Sequence, residues 1–166
     1  MQVPSLCDAT PEFDTRYFSK ALSQFATGVT VVTAKLPDGA FFGITIQSFN
    51  SVSLEPPLVL WSLSRHSSTL DAFFAADSYV INVLAGDQIE VAQRFTRQGE
   101  QRFDTLPYQL SRHGIPVLAG TVAWFECRQR SRYEEGDHVI FVAEVERCHS
   151  HPHRTLGFHR GRFIAI

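Results

Sequence analysis

Charge is scarce in this chain of 166 residues: Asp, Glu, Lys and Arg together make up 19%, against about a quarter in an ordinary soluble domain. The balance is close to neutral, with a net charge of -2. No stretch concentrates Lys and Arg, which argues against a nucleic-acid binder. Cysteine is nearly absent. Cys7, Cys127 and Cys148 are odd in number and form no CxxC pair, which fits free thiols in a reducing cytoplasm. No apolar run approaches the roughly 18 residues of a membrane span. Met1 to Thr10 has neither a basic stretch nor an apolar core, so no signal peptide is expected. Also missing are GxSxG, HExxH, the Walker phosphate loop and a GxGxxG after a strand. Their absence argues against a hydrolase and against a Rossmann dinucleotide site.

What is present is apolar and aromatic. Hydrophobic residues make up 44% of the chain, with 14 Phe among them, a content that argues against disorder. The length suits one well-built domain that needs no staples. So few charges on one globule also point to surface hidden in an oligomer. No internal repeat or linker divides the chain, so residues 1–10 read as an N-terminal tail and 11–166 as the domain.

The first element reads as a helix from about Pro11 to Ala26, capped by Thr10 and stopped near Gly28. Phe13, Tyr17, Ala21 and Phe25 recur along it at helical spacing. The pattern then turns to short β-branched runs. Val29–Ala34 and Phe41–Ile46 read as a hairpin about Pro37-Asp38-Gly39. Phe49–Ser53, Leu58–Leu63 and Tyr79–Leu84 read as further strands. Ser67 or Ser68 caps a short helix to about Ala76, and Gln88–Gln98 reads as another. Gly99–Pro116 reads as a loop. Thr121–Arg130 and Val139–Val145 form a hairpin about Glu134-Glu135-Gly136-Asp137, and Thr155–Ile166 is a final extended stretch. Seven or eight strands with two or three helices predict a mainly β protein, a small antiparallel barrel with peripheral helices.

Four groups of residues invite a chemical reading. Between apolar strands lies a hydroxyl-rich strip, Gly43 to Ser53, with Thr45, Ser48, Ser51 and Ser53. It suits a flat heterocycle edged with carbonyls and ring nitrogens, and equally a strand pair with one wet face. Ser64-Arg65-His66-Ser67-Ser68-Thr69 places hydroxyls and a guanidinium at a helix start, which is either a phosphate site or a plain cap. Gly136-Asp137-His138 is a hairpin tip whose histidine either orients a ligand or simply begins a strand. His149, His151 and His153 alternate. Three imidazoles on one side would interest a metal, but Pro152 breaks the strand, and a solvated loop is the better reading.

In order and spacing, several blocks resemble the short-chain flavin reductases, the reductase components of two-component flavin-dependent monooxygenases. The resemblance runs from about Tyr17 to Phe163. It includes Phe25-Ala26-Thr27-Gly28-Val29-Thr30-Val31-Val32-Thr33, the strip Gly43–Val59 and Val80-Ile81-Asn82-Val83-Leu84. It continues through Gly114–Gly120, Trp124-Phe125-Glu126-Cys127 and Gly136-Asp137-His138-Val139-Ile140-Phe141, and closes on Phe158-His159-Arg160-Gly161-Arg162-Phe163.

The resemblance implies a flavin-binding split barrel, a homodimer with FMN or FAD near the subunit interface. It implies flavin contacts from Thr45, Ile46, Gln47 and Ser48 and from Ser51, Val52 and Ser53. It also implies a phosphate end at Arg65, Ser67, Ser68 and Thr69, and Phe95 near the flavin. It matches His138 to a histidine associated with nicotinamide binding. Family members often carry Ala and Asn where this chain has Ile46 and Gln47, and Tyr where it has Phe163. The implied reaction is hydride transfer from NADH or NADPH to flavin, with no catalytic side chain. Reduced flavin would then pass to a partner monooxygenase in the cytoplasm, without nucleic acid or membrane. Two rival readings keep the fold: a flavin-binding electron carrier, and a single-component oxidase or oxygenase.

Overall fold

The computed structural model describes residues 13–96 and 103–166. The first described element is helix α1 (Thr15–Leu22). Its N-cap is Asp14, whose carboxylate accepts the Tyr17 amide at 2.7 Å. The expected cap and first helical residue, Thr10 and Pro11, lie outside the described residues. The helix ends four residues before Ala26, because Phe25 and Ala26 already lead into strand β1 (Thr27–Gly28).

β2 (Thr30–Lys35) and β3 (Phe41–Ile46) form the expected hairpin. β4 (Asn50–Leu54) and β5 (Pro57–Ser64) form a second. Helix α2 (Leu70–Ala75), β6 (Ser78–Val83) and helix α3 (Ile89–Arg94) follow. Within the expected loop, Tyr108–Leu110 (β7) pairs with Pro116–Leu118 (β8). Two strands of 13 residues, β9 (Ala123–Glu135) and β10 (His138–Ser150), form the longest hairpin. The last extended stretch is itself a hairpin of β11 (Leu156–His159) and β12 (Arg162–Ala165).

Seven strands form one antiparallel sheet in the order β3-β2-β6-β9-β10-β5-β4, and β1, β11 and β12 form a small second sheet. The large sheet curls until β3 meets β5. No ladder joins that pair. The seam is closed instead by Ser48, whose hydroxyl donates to the Ser62 carbonyl and accepts from the Ser62 amide, both at 2.9 Å. A barrel with one seam held by side chains is a split barrel, as expected.

The twelve strands among the described residues exceed the expected seven or eight because β1, β7 and β8 are too short to show as periodic runs, and because Thr155–Ile166 folds back on itself. The turn is Arg160-Gly161, with φ of 50° and 77°. Two left-handed residues make the tight turn that matches strand twist. Asn usually takes the first position, and Arg there costs roughly 1 kcal/mol or more.

Strand β2 is buried on both faces, and its residues alternate between two cores. Val32 and Ala34 face the barrel interior, where Trp61 stacks on Phe141 at 4.4 Å between ring centroids. Val31 faces a second cluster with Leu84, Ala92, Phe95 and Leu156. Period-two alternation explains why a continuous apolar run is required there. Asn82 is fully buried and satisfied. Its amide donates to the Val31 carbonyl and Thr33 Oγ1, and its oxygen accepts the Leu118 amide, which stitches β2, β6 and β8 together.

Candidate functional site

An open cleft of about 970 Å³ lies where the barrel rim meets the small sheet. Its barrel side is built from the end of β3 and the residues that follow, Thr45, Ile46, Gln47 and Ser48. Ser62 to Ser64 and His138 extend this wall, since His138 pairs with Ser64 where β10 meets β5. The other side comes from the end of α1 (Ser19, Leu22, Ser23), the lead-in Phe25 and Thr27, and the β11–β12 hairpin. Phe158 and Phe163 of that hairpin stack edge to face at 5.3 Å, and Arg160 and Gly161 form its tip. Arg160 ties the hairpin to α1: its amide donates to the Ser23 carbonyl at 3.1 Å and its Nε to Gln24 Oε1 at 2.9 Å.

The hydroxyl strip is held from behind. Thr45 Oγ1 donates to the Ala92 carbonyl at 2.7 Å, and the Thr45 amide to the Phe95 carbonyl at 3.3 Å. Phe95 itself is 1% exposed and lies outside the cleft lining. It packs beneath β3 against Gly43, where an added Cβ would fall 3.1 Å from the Phe95 ring and 2.8 Å from the Val32 carbonyl. Glycine at that position lets the strip lie close on α3.

The remaining sequence candidates lie outside the cleft lining. Ser51, Val52 and Ser53 sit on β4, the edge strand, with Ser51 and Val52 exposed. Arg65 to Thr69 continue from the cleft-lining end of β5 instead. Ser53 pairs with Leu58, so the two groups stand at opposite ends of β5, about 20 Å apart by strand rise. The Arg65 amide donates to the Asp137 carbonyl at 2.9 Å, and its guanidinium pairs with Glu134 at 3.3 Å. The expected cap at Ser67 or Ser68 is displaced. Thr69 precedes α2 without a side-chain cap, while the Ser67 hydroxyl takes the Thr69 amide at 3.3 Å and touches Thr69 Oγ1 at 3.0 Å. A serine that turns on its own neighbours cannot also cap the helix.

His138 Nδ1 lies 2.7 Å from Asp137 Oδ1, and that contact holds the Asp137 carboxyl below the usual carboxylate range. The histidine trio does not form a loop throughout. His149 belongs to β10 opposite Trp124, and its ring meets His151 at 4.5 Å. Among the described residues, no group of three or more His, Cys, Asp or Glu could hold a metal. Cys127 is buried, and burial pushes its thiol well up, so it is no nucleophile.

The residues missed by sequence reasoning are Thr27, Arg160 and the end of α1. Thr27 Oγ1 is buried in the cleft wall without a hydrogen-bond partner among the described residues. Their one legible signal is the Arg-Gly dipeptide between two aromatic runs, which marks a turn. An orphaned hydroxyl, a hydroxyl strip, two aromatic rings and a cationic tip fit a flat, polar-edged, anionic ligand such as a flavin.

Fold and cleft together define a split-barrel protein with an open, polar-edged cleft at its rim. Residues 22–166 match the family described as the flavin reductase like domain, and the chain belongs to that family. The chain is 47% identical over 150 residues to the FMN reductase (NADH) SmoA of Agrobacterium fabrum, covering 90% of this chain and 85% of that protein. It is 34% identical to the flavin-dependent monooxygenase reductase subunit HsaB of Mycobacterium tuberculosis, covering 93% and 84%. The Streptomyces globisporus NADH:FAD oxidoreductase SgcE6, solved with NAD and FAD fragments, superposes with a TM-score of 0.87 at 35% identity, covering 92% of this chain and 93% of that one.

Proposed function

We propose that this chain is an NAD(P)H:flavin oxidoreductase that reduces FMN or FAD and hands the reduced flavin to a partner monooxygenase. The observation that carries the reading is the cleft: a hydrogen-bonding strip, an aromatic hairpin and a histidine, open to solvent. Nicotinamide supplies the hydride and flavin accepts it when both are bound, so the protein supplies position and electrostatics. Thr45, Ile46, Gln47 and Ser48 lie along the isoalloxazine. Arg65, with Ser67, Ser68 and Thr69, receives the phosphate. His138, held by Asp137, orients the nicotinamide half. The open mouth suits a flavin that arrives and leaves as substrate. Relatives named as reductase subunits of monooxygenases support the hand-over.

The same reading includes a cytoplasmic homodimer. Helix α1 buries no residue, and Phe13, Tyr17, Phe18 and Leu22 are all at least half exposed. A two-turn amphipathic helix of this kind needs cover, and a second copy supplies it. Ser51 to Ser53, on the exposed edge strand and remote from Arg65, then contact the flavin of the other copy. The first experiment is anaerobic stopped-flow absorbance, mixing protein and excess flavin with NADH or NADPH. Bleaching of many equivalents of free flavin is the expected result. Bleaching of one bound equivalent would mean a carrier or a single-component oxygenase instead. Sedimentation of the protein as a monomer would remove the dimer.

A further inference from the structure

Thr45 stands in the cleft wall, yet both of its hydrogen-bond donors are spent inside the protein. Its hydroxyl donates to the Ala92 carbonyl and its amide to the Phe95 carbonyl. These carbonyls belong to the last turn of α3 and its C-cap, where a helix leaves acceptors without partners of its own. The strip therefore takes its place from the end of α3. That end is held in turn by Phe103. The Phe103 ring meets Phe95 edge to face at 5.2 Å, and Phe41 at the start of β3 at 5.8 Å. Arg94 adds a bond from Nη1 to Thr105 Oγ1 at 3.1 Å. From this we infer that Phe103 is a positioning residue for the flavin ring: it keeps the end of α3 against β3 and, through Thr45, sets where the strip stands. The inference rests on the proposed reductase function and deepens it.

The clamp grips β3 at both ends, Phe41 through Phe103 and Thr45 through Ala92 and Phe95. Between them Gly43 lets the Phe95 ring lie directly on the strand, where an added Cβ would fall 3.1 Å from it. Contacts this close leave no slack, so a shift of Phe95 is passed to the strand. Phe158 and Phe163 of the opposite wall pack against the same core as Phe95 and Phe103. Phe103 itself lies outside the cleft lining and acts only through its neighbours. Because the strip meets the flavin ring and not its phosphate, the effect falls on riboflavin and FMN alike.

The test compares Phe103→Leu with Tyr108→Leu. Among the described rings, Tyr108 meets Phe103 and Phe41 but not Phe95, so its loss loosens the same cluster without reaching the end of α3. Riboflavin and FMN are titrated by fluorescence quenching, and the Tm of each protein is read beside them. Phe103→Leu should raise both Kd values by one common factor of about three to ten, the worth of an aromatic pair. Tyr108→Leu should stay within about twofold at a comparable loss of Tm. At saturating flavin and NADH, the stopped-flow bleaching rate of Phe103→Leu should fall about tenfold, since hydride transfer is steep in distance. Phe103→Tyr, which keeps the ring, should restore affinity and rate. Thr45→Val cuts the hydroxyl tie to Ala92, and on that background Phe103→Leu should cost less than it does alone, because the path to the strip is already broken. If Phe103→Leu does not fold, Phe103→Met, closer in volume, takes its place. Parental affinity and rate in the folded variant, an equal loss in Tyr108→Leu, a loss for FMN without riboflavin, or full additivity with Thr45→Val would each overturn the inference. A parent that neither binds nor bleaches flavin would remove the proposed function and this inference together. A parent that does both, beside a Phe103→Leu that matches it, removes this inference alone.

Discussion

Ser48 closes the barrel through Ser62, with its one hydroxyl donating to the carbonyl and accepting from the amide of that residue at 2.9 Å each. The ladder of β3 has ended at Ile46 and that of β4 begins at Asn50, so this side chain replaces backbone pairing at the seam. It also lines the cleft, which makes Ser48 a wall fixture before it is a ligand contact. Ser48→Ala strands a half-buried carbonyl and amide, and should cost about 1–3 kcal/mol. Urea unfolding checks the number. Ser48→Thr, which keeps the hydroxyl, should recover most of it. A Ser48→Ala protein with parental stability but weakened flavin binding would reverse the assignment.

His138 stands on the cleft rim with Nδ1 at Asp137, and among the described residues no other imidazole lines that cleft. His138→Ala should raise the KM for NADH about tenfold, the cost of a hydrogen bond to a charged group, with little change in the Kd for FMN. Steady-state rates and a flavin titration read the two separately. Equal NADH KM in variant and parent would take His138 out of the nicotinamide site. Asp137→Asn should show a weaker form of the same effect, since it removes the charge but keeps an acceptor beside Nδ1.

Arg65 is half exposed and paired with Glu134 at 3.3 Å, a contact worth little in water. It is therefore available to a stronger anion. Arg65→Ala should weaken FMN about tenfold and leave riboflavin, which lacks the phosphate, within about twofold. Glu134→Gln should tighten FMN slightly by removing the competitor. Equal losses for FMN and riboflavin would exclude Arg65 from the phosphate end.

The barrel was legible because its strands alternate or run apolar, and because β2, buried on both faces, leaves an uninterrupted signature from Val29 to Ala34. The far ends of β9 and β10 were not. They run to Glu135 and Ser150 on polar residues whose ladder bonds leave no hydrophobic trace, so His149 reads as loop from the sequence. Strip and hairpin tip are each visible as local patterns, while the pairing of β10 with β5 brings His138 to the strip and the resemblance supplies their roles. The opposite wall is a long-range product. Ser23 and Arg160 meet only because β1 pairs with β11, and neither carries a local pattern that announces the partner. The resemblance puts Phe95 near the flavin, and its ring is packed beneath the strip, outside the cleft lining. Order along the chain cannot tell a lining residue from the one supporting it.

Acid should loosen the protein through Glu146. This carboxylate accepts from His113 Nε2 at 2.7 Å and pairs with Arg128 at 3.5 Å. The His113 hydrogen bond is the main cause that holds the Glu146 carboxyl below its ordinary value of 4.5. A carboxylate with a depressed folded pKa contributes stability that is complete above its unfolded pKa and disappears as the pH falls through the folded value. The contribution therefore holds above about pH 5 and drains away below the usual carboxylate range. Because both partners are about a third exposed, its size should be about 0.5 kcal/mol or less. Urea midpoints at pH 5.5 and pH 3.5 measure it. Parent and Glu146→Gln should differ at the higher pH and converge at the lower, and the difference at the higher pH should shrink in molar salt, where screening is short-ranged. A gap that stays constant across both pH values would assign the Glu146 effect to packing on β10 and not to its charge.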